Sequence, residues 1–205
     1  MEKRPYKAVF RCRNLNYGST CPFRGHHLSF SYMNTYTRPT WDDYFMSIAK
    51  IVATRSTCDR LRAGAVLVKN RRIISTGYNG APPGLPHCDG EEGHKMEEGH
   101  CIRTIHAEEN CILQAALLGG ISTSDSTIYT TYSPCYHCFK KLVMGGVKKI
   151  VAGQIYRNST IREECEMAGI KFTLYQPSEG WVSRAEEIFR IPIEEKIAAE
   201  EGQKT

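Results

Sequence analysis

A chain of 205 residues, 41% hydrophobic and 24% charged, is long enough for one well-packed domain and has an ordinary globular composition. Its net charge of +5 is spread without a basic stripe, which argues against nucleic acid as the main partner and favours phosphorylated small ligands. No apolar run approaches bilayer length, the opening MEKRPYKAVF lacks a signal peptide's apolar stretch, and nine cysteines, several beside histidine, point to reduced thiols, metal and a cytoplasmic setting.

Residues 1–37 read as an N-terminal extension. Its first 32 residues have no clear period, and Cys12, Cys21, His26 and His27 lack the paired Cys-x-x-Cys spacing of a zinc ribbon. They are expected to be poorly ordered, or to lie upstream of a true start at Met33. From Thr40 the pattern becomes regular. Trp41-Asp42-Asp43 opens a helix that places Phe45, Ile48, Ala49 and Val52 on one face. Ala65-Val66-Leu67-Val68 and Arg72-Ile73-Ile74-Ser75-Thr76 read as strands joined by an Asn70-Arg71 turn. The breaker-rich run from Gly77 to Gly84 ends the second strand. A helix over 106–118 stops at Gly119-Gly120, followed by a strand over 127–131, a helix after Pro134 and a strand over 149–152. A helix near 161–168, a strand near 171–174 and a helical tail from Trp181, interrupted at Pro192, complete the chain. Strands alternating with helices imply an α/β sandwich.

His106-Ala107-Glu108 and Pro134-Cys135-Tyr136-His137-Cys138 carry the chemistry. Zinc takes nitrogen and thiolate ligands tetrahedrally, and a catalytic site uses three and leaves the fourth position to water. His106, Cys135 and Cys138 supply the three, each at or near a helix N-terminus, where partial positive charge favours thiolate. Glu108 is the catalytic group, moving a proton beside the metal without binding it. Cys135-x-x-Cys138 alone would also serve as a redox pair or a structural half-site. With His-x-Glu ahead of it, the pair resembles the pattern of zinc-dependent nucleobase deaminases.

The resemblance extends from about residue 38 to 175. Arg38-Pro-Thr-Trp-Asp-Asp-Tyr-Phe, Ser56-Thr57-Cys58, Gly64-Ala65-Val66, Thr76-Gly-Tyr-Asn-Gly-Ala-Pro, His87-Cys88-Asp89 and His100-Cys101-Ile-Arg-Thr-Ile-His-Ala-Glu are similar to the deoxycytidylate deaminase family, close to its bacterial late-competence and phage members. It implies a three-layer α/β/α sandwich with a five-stranded mixed sheet, a deaminase domain over 38–176 and a helical tail over 177–205. The implied activity is zinc-dependent hydrolysis of dCMP to dUMP and ammonia, supplying dUMP for thymidylate synthesis. The family also implies homo-oligomers, often hexamers, with dCTP and dTTP as effectors and Mg2+ accompanying a regulatory nucleotide. Glu109 and Cys111 depart from the family's usual Met or Leu and Ala.

The long connection over 79–105 has little periodicity, and such loops are functional or held by something. The resemblance implies a second, structural zinc there, with Cys58 and Cys88 at the family's ligand positions; His100 and Cys101 are chosen for the other two, with His94 in reserve. Free thiols and solvated histidines are the alternative. For substrate, the resemblance brings Asn79 to the sugar, against a plain turn role. Ser133 is expected as a polar contact, Arg60 and Arg62 at the 5′-phosphate, and Tyr156 closing the pocket, the alternatives being solvated charges and a packed tyrosine. Rival readings are a deaminase of tRNA adenosine, a riboflavin precursor or guanine, and a competence-associated binding protein without activity.

Overall fold

The structure, a computed structural model, describes residues 38–157 and 160–189. The expectations for residues 1–37, including Cys12, Cys21, His26, His27 and Met33, and for Pro192 lie outside these.

Helix α1 (Trp41–Ala53) starts where expected because Thr40 and Asp43 form a reciprocal capping box. It leads to strands β1 (Gly64–Lys69) and β2 (Arg72–Tyr78), paired antiparallel around Asn70 and Arg71. Both turn residues have positive φ, 51° and 60°, as a tight two-residue hairpin turn requires. A short hairpin follows, β3 (Met96–Glu97) and β4 (His100–Cys101), turning at Glu98-Gly99. Then come α2 (Ala107–Leu117), β5 (Thr127–Tyr132), α3 (Tyr136–Met144), β6 (Lys149–Gln154), α4 (Ile161–Met167), β7 (Lys171–Leu174) and α5 (Trp181–Phe189). The main sheet has the order β2-β1-β5-β6-β7, with antiparallel pairing around β1 and parallel pairing from β5 to β7, so it is a five-stranded mixed sheet.

Alternation along the strands builds two cores. Ala65, Leu67, Ile128 and Ile150 face one side with Cys111 and Ala115 of α2, Leu142 of α3 and Cys165 of α4. Val66, Val68, Tyr129 and Val151 face the other, against Phe45, Met46 and Ala49 of α1. Trp181 of α5 reaches the α1 side, donating its indole N–H to Ser47 Oγ at 3.3 Å. Helices thus cover both faces of the sheet.

Two details differ from the sequence reading. Strand β2 continues through Gly77 and Tyr78, which pair with Ala65 and Gly64, because the ladder with β1 outlasts the breaker signal. Gly77 has a further reason to be glycine: a Cβ there would lie 2.3 Å from Ala107 O and 2.4 Å from Cys111 N, so α2 could not sit so close to β2. The β3–β4 hairpin, too short to show a period, was not expected either.

Asp43 ties the start of α1 to the segment after β7. Its carboxylate accepts from Thr40, from Tyr175 Oη (2.7 Å) and from both Ser178 N and Oγ (3.1 and 2.6 Å). Burial alone would raise its pKa; these hydrogen bonds outweigh it and hold the carboxyl at about 2. Among the described residues no helix is long and apolar enough to cross a membrane.

Candidate active site

The site forms where β5 gives way to α3 and where the 79–105 connection gives way to α2. After Tyr132, Ser133-Pro134 breaks the strand and Cys135 takes the N-cap position of α3 in extended conformation, making no capping hydrogen bond with its side chain. His106 is likewise the N-cap of α2 and likewise does not cap with its ring. The two ends converge: His106 Nδ1 lies 3.4 Å from both Cys135 Sγ and Cys138 Sγ. A tetrahedral zinc with Zn–S of ~2.3 Å and Zn–N of ~2.0–2.1 Å would place such donors about 3.6 Å apart, so the three fit that ion with little adjustment. The hydrogen bond from Cys138 lowers the pKa of Cys135 to about 3 against the opposing effect of burial, with His106 adding to the lowering. The same contact and burial push Cys138 upward, and the Cys135 contact raises His106. Metal binding would displace the protons this cluster shares.

Glu108, one residue into α2, is 5% exposed and accepts a hydrogen bond from Thr130 Oγ1 of β5 at 3.0 Å. Burial raises its pKa, partly opposed by its own backbone N–H and by His106. Thr130 was not singled out in the sequence. Its signal was available: a polar residue two positions after Ile128, on the core face of a strand leading into the Pro-Cys motif.

A second cluster lies in the irregular segments. Donor atoms of Cys58, Cys88 and His94 all fall within 4.8 Å of one another. Cys101 Sγ joins them, 3.6 Å from Cys88 Sγ and 3.4 Å from His94 Nδ1. Burial and the neighbouring thiols push Cys88 up to about 12, while backbone N–H groups and His94 bring Cys101 down to about 7 against burial. His94 Nε2 contacts Asp59 Oδ1 at 2.7 Å, which orients the ring as a carboxylate behind a metal-binding histidine would. The sequence had put His100 in this set and His94 in reserve; the structure reverses them. His100 and Cys101 are adjacent in β4, and adjacent strand residues point to opposite faces, so both cannot reach one point. The His100 ring instead accepts a hydrogen bond from Arg157 at 2.9 Å.

A cavity of about 870 Å³ opens over Glu108 and the first cluster, a volume suited to a small-molecule ligand. Asn79, Ser133, Tyr156 and Arg60 all line it; Arg62 does not. Arg62 faces a separate cavity of about 450 Å³ with Lys50 and Tyr175. Asn79 has ordinary negative φ, so the left-handed turn role falls away. Its carboxamide accepts from Ala63 N (2.8 Å) and donates to Leu61 O (2.7 Å), bracing the loop it lines. Ser133 Oγ accepts from Tyr156 N at 2.8 Å, and the Tyr156 ring packs edge-on against Tyr132. Arg157, absent from the sequence reading, also lines the cavity; nothing in its local pattern distinguished it from a solvated arginine.

Comparison with known proteins agrees with this geometry. The cytidine and deoxycytidylate deaminase zinc-binding region matches residues 39–154. ComE operon protein 2 of Bacillus subtilis is 41% identical over 134 residues, which cover 65% of this chain and 70% of that protein. The deoxycytidylate deaminase of Saccharomyces cerevisiae is 38% identical over 127 residues, covering 58% of this chain and only 39% of the yeast protein. Among solved structures, the dCMP deaminase of cyanophage S-TIM5 in complex with dCMP and dUMP is 28% identical, with a TM-score of 0.58 over 67% of this chain and 98% of that one. With a family match over more than half its residues, in the segment that carries both helix N-termini, this chain belongs to the cytidine and deoxycytidylate deaminase family.

Proposed function

We propose that this chain hydrolyses dCMP to dUMP and ammonia. The observation that carries the reaction is a buried carboxyl, Glu108, held by Thr130 beside the three converging donors His106, Cys135 and Cys138. The choice of dCMP rests on the relatives: the yeast protein is a deoxycytidylate deaminase, and the phage structure holds dCMP and dUMP.

His106, Cys135 and Cys138 would hold the zinc. When bound, that ion supplies Lewis acidity towards water, lowering its pKa from ~15.7 towards ~7. Glu108 takes the proton of the attacking water and delivers it to N3 of the cytosine, making C4 electrophilic as the C–O bond forms. The carboxylate then takes the proton of the new C4 hydroxyl and passes it to the exocyclic nitrogen; the C4–N bond breaks as C4=O forms, and ammonia leaves. Thr130 keeps the carboxyl aimed into the cavity, and its burial keeps bulk water from taking the proton.

Cys58, Cys88, His94 and Cys101 would hold a second zinc. Four protein donors leave no open position, which suits a structural ion. Arg60 and Asn79 would serve the substrate from the same cavity. Control by dCTP and dTTP with Mg2+, homo-oligomer assembly, the division of the chain at residues 37/38 and 176/177 and a cytoplasmic location belong to the same reading; the last is supported by seven free thiols among the described residues.

Ammonia release by zinc-loaded protein from dCMP, cytidine, adenosine and guanine, assayed side by side, tests it. Turnover of dCMP well above the others is expected. Preference for another substrate moves the chain to a different branch, and release from none favours the binding-protein reading.

A further inference from the structure

The two helix N-termini that bring the first cluster together are also joined by charge. Glu109 follows His106 by three residues in the first turn of α2, and Lys141 follows Cys138 by three residues in α3. Residues three apart share a helix face, so each charge stands on the side of its helix that carries a donor. The Lys141 ammonium pairs with Glu109 Oε1, and both side chains line the cavity over Glu108. Among the described residues it is the only ion pair that joins two helices. Beneath it, Ala107, Cys111 and Ala115 of α2 share a core with Phe139 and Leu142 of α3. Apolar packing of that kind draws the helices together without direction. Neither His106 nor Cys135 caps its own helix with its side chain, so no local cap fixes where these donors point.

We infer that the Glu109–Lys141 pair is a clamp holding the N-termini of α2 and α3 at the spacing the three donors need, so that these two positioning residues set how tightly the first cluster retains its zinc. The inference rests on the reading of His106, Cys135 and Cys138 as zinc ligands and adds a contact outside that set. An apolar side chain could not make it, and Glu109 departs from the family's usual Met or Leu. With side chains 30% and 46% exposed, the pair contributes little to global stability, so its effect falls on the metal. A plain charge effect on zinc would run differently. Lys141 repels the cation and Glu109 attracts it, so loss of Lys141 alone would tighten binding. The clamp weakens binding when either partner is lost.

The test uses full-length, zinc-loaded protein as wild type, Glu109→Leu, Lys141→Met, the Glu109→Leu/Lys141→Met double variant and the exchanged pair Glu109→Lys/Lys141→Glu. Zinc release to excess chelator is followed with equilibrium zinc affinity and thermal unfolding; the first cluster's phase is the one that Cys135→Ala removes. Each single variant should release that zinc roughly 2- to 5-fold faster and bind it more weakly by a similar factor, the scale of a partly exposed pair. The double variant should be no worse than either single one, and the exchanged pair should recover part of the loss. The other release phase and the melting temperature should stay near wild type. Lys141→Met holding zinc as well as wild type or better, single losses that add in the double variant, or an equal loss from both phases would overturn the clamp. If release follows the expected pattern but dCMP yields no ammonia, the deaminase reading falls by itself and the clamp stands; a first cluster that takes up no zinc overturns both.

Discussion

The chain contains two clusters of metal-capable side chains, built in opposite ways. The first takes His106, Cys135 and Cys138 from two helix N-termini near the end of β5, the central strand of the sheet, with a buried carboxyl, Glu108, beside three donors. The second takes Cys58, Cys88, His94 and Cys101 from irregular segments and a two-residue strand, with a carboxylate, Asp59, behind one donor and largely in water. What separates the two clusters is the number of donors and the side from which the carboxylate approaches, not the kinds of residue. Three donors with an acid facing the cavity leave room for chemistry. Four donors with the acid behind a ligand leave none.

That contrast breaks most sharply at Glu108. Glu108→Gln should lower kcat by roughly 10²- to 10⁴-fold while zinc content and melting temperature stay near wild type; near-native turnover in the purified variant would remove the proton-carrier role. At the second cluster the expected effect falls on stability. His94→Ala should lose the second zinc equivalent and more than about 4 kcal/mol of stability, as loss of a structural metal does, whereas His100→Ala should retain the metal. Metal analysis of the two variants decides which histidine is the ligand, and a protein that never binds more than one zinc would dissolve the comparison.

A smaller effect concerns the scaffold that brings α2 to the first cluster. Gly77→Ala forces a Cβ against the α2 backbone, with Ala107 O only 2.3 Å away, and should cost about 3 kcal/mol. Because α2 carries His106 and Glu108, zinc affinity of the first cluster should fall with it, and that of the second should not. Smallest is the acid limb. Asp43 titrates at about 2 in the folded chain instead of 3.8, so its stabilisation, roughly 2 kcal/mol, is complete above pH ~4 and lost as pH falls to ~2. Asp43→Asn should remove that part of the acid unfolding curve; zinc release followed in parallel separates it from protonation of either cluster. An unchanged acid limb would show that the Ser178 and Tyr175 contacts do not hold the carboxyl.

Much of this was legible because it is local. The Thr40 cap, the Asn70-Arg71 turn, the strand alternation at Ala65–Val68 and the H-x-E and P-C-x-x-C spacings each express a preference within a few residues. Such preferences led to the alternating strands and helices and singled out His106, Glu108, Cys135 and Cys138, while the five-stranded mixed sheet was implied by the family resemblance. His94 stood in reserve behind His100, yet His100 and Cys101 are adjacent in β4 and strand geometry makes them diverge. Arg60 and Arg62, two residues apart, were both candidates for the phosphate, yet they line different cavities.

By itself, then, the sequence determined the main helices and strands other than the β3–β4 hairpin, their order in an α/β sandwich and the residue types of the first cluster, since helix caps and motif spacing act over a turn or less. Only the tertiary structure decided which side chains from distant segments share a point: His94 rather than His100 with Cys58 and Cys88, Thr130 behind Glu108, and Arg157 rather than Arg62 at the cavity. Those meetings join segments far apart in the chain, Cys58 with residues 88–101 and β5 with α2, which no short-range periodicity encodes.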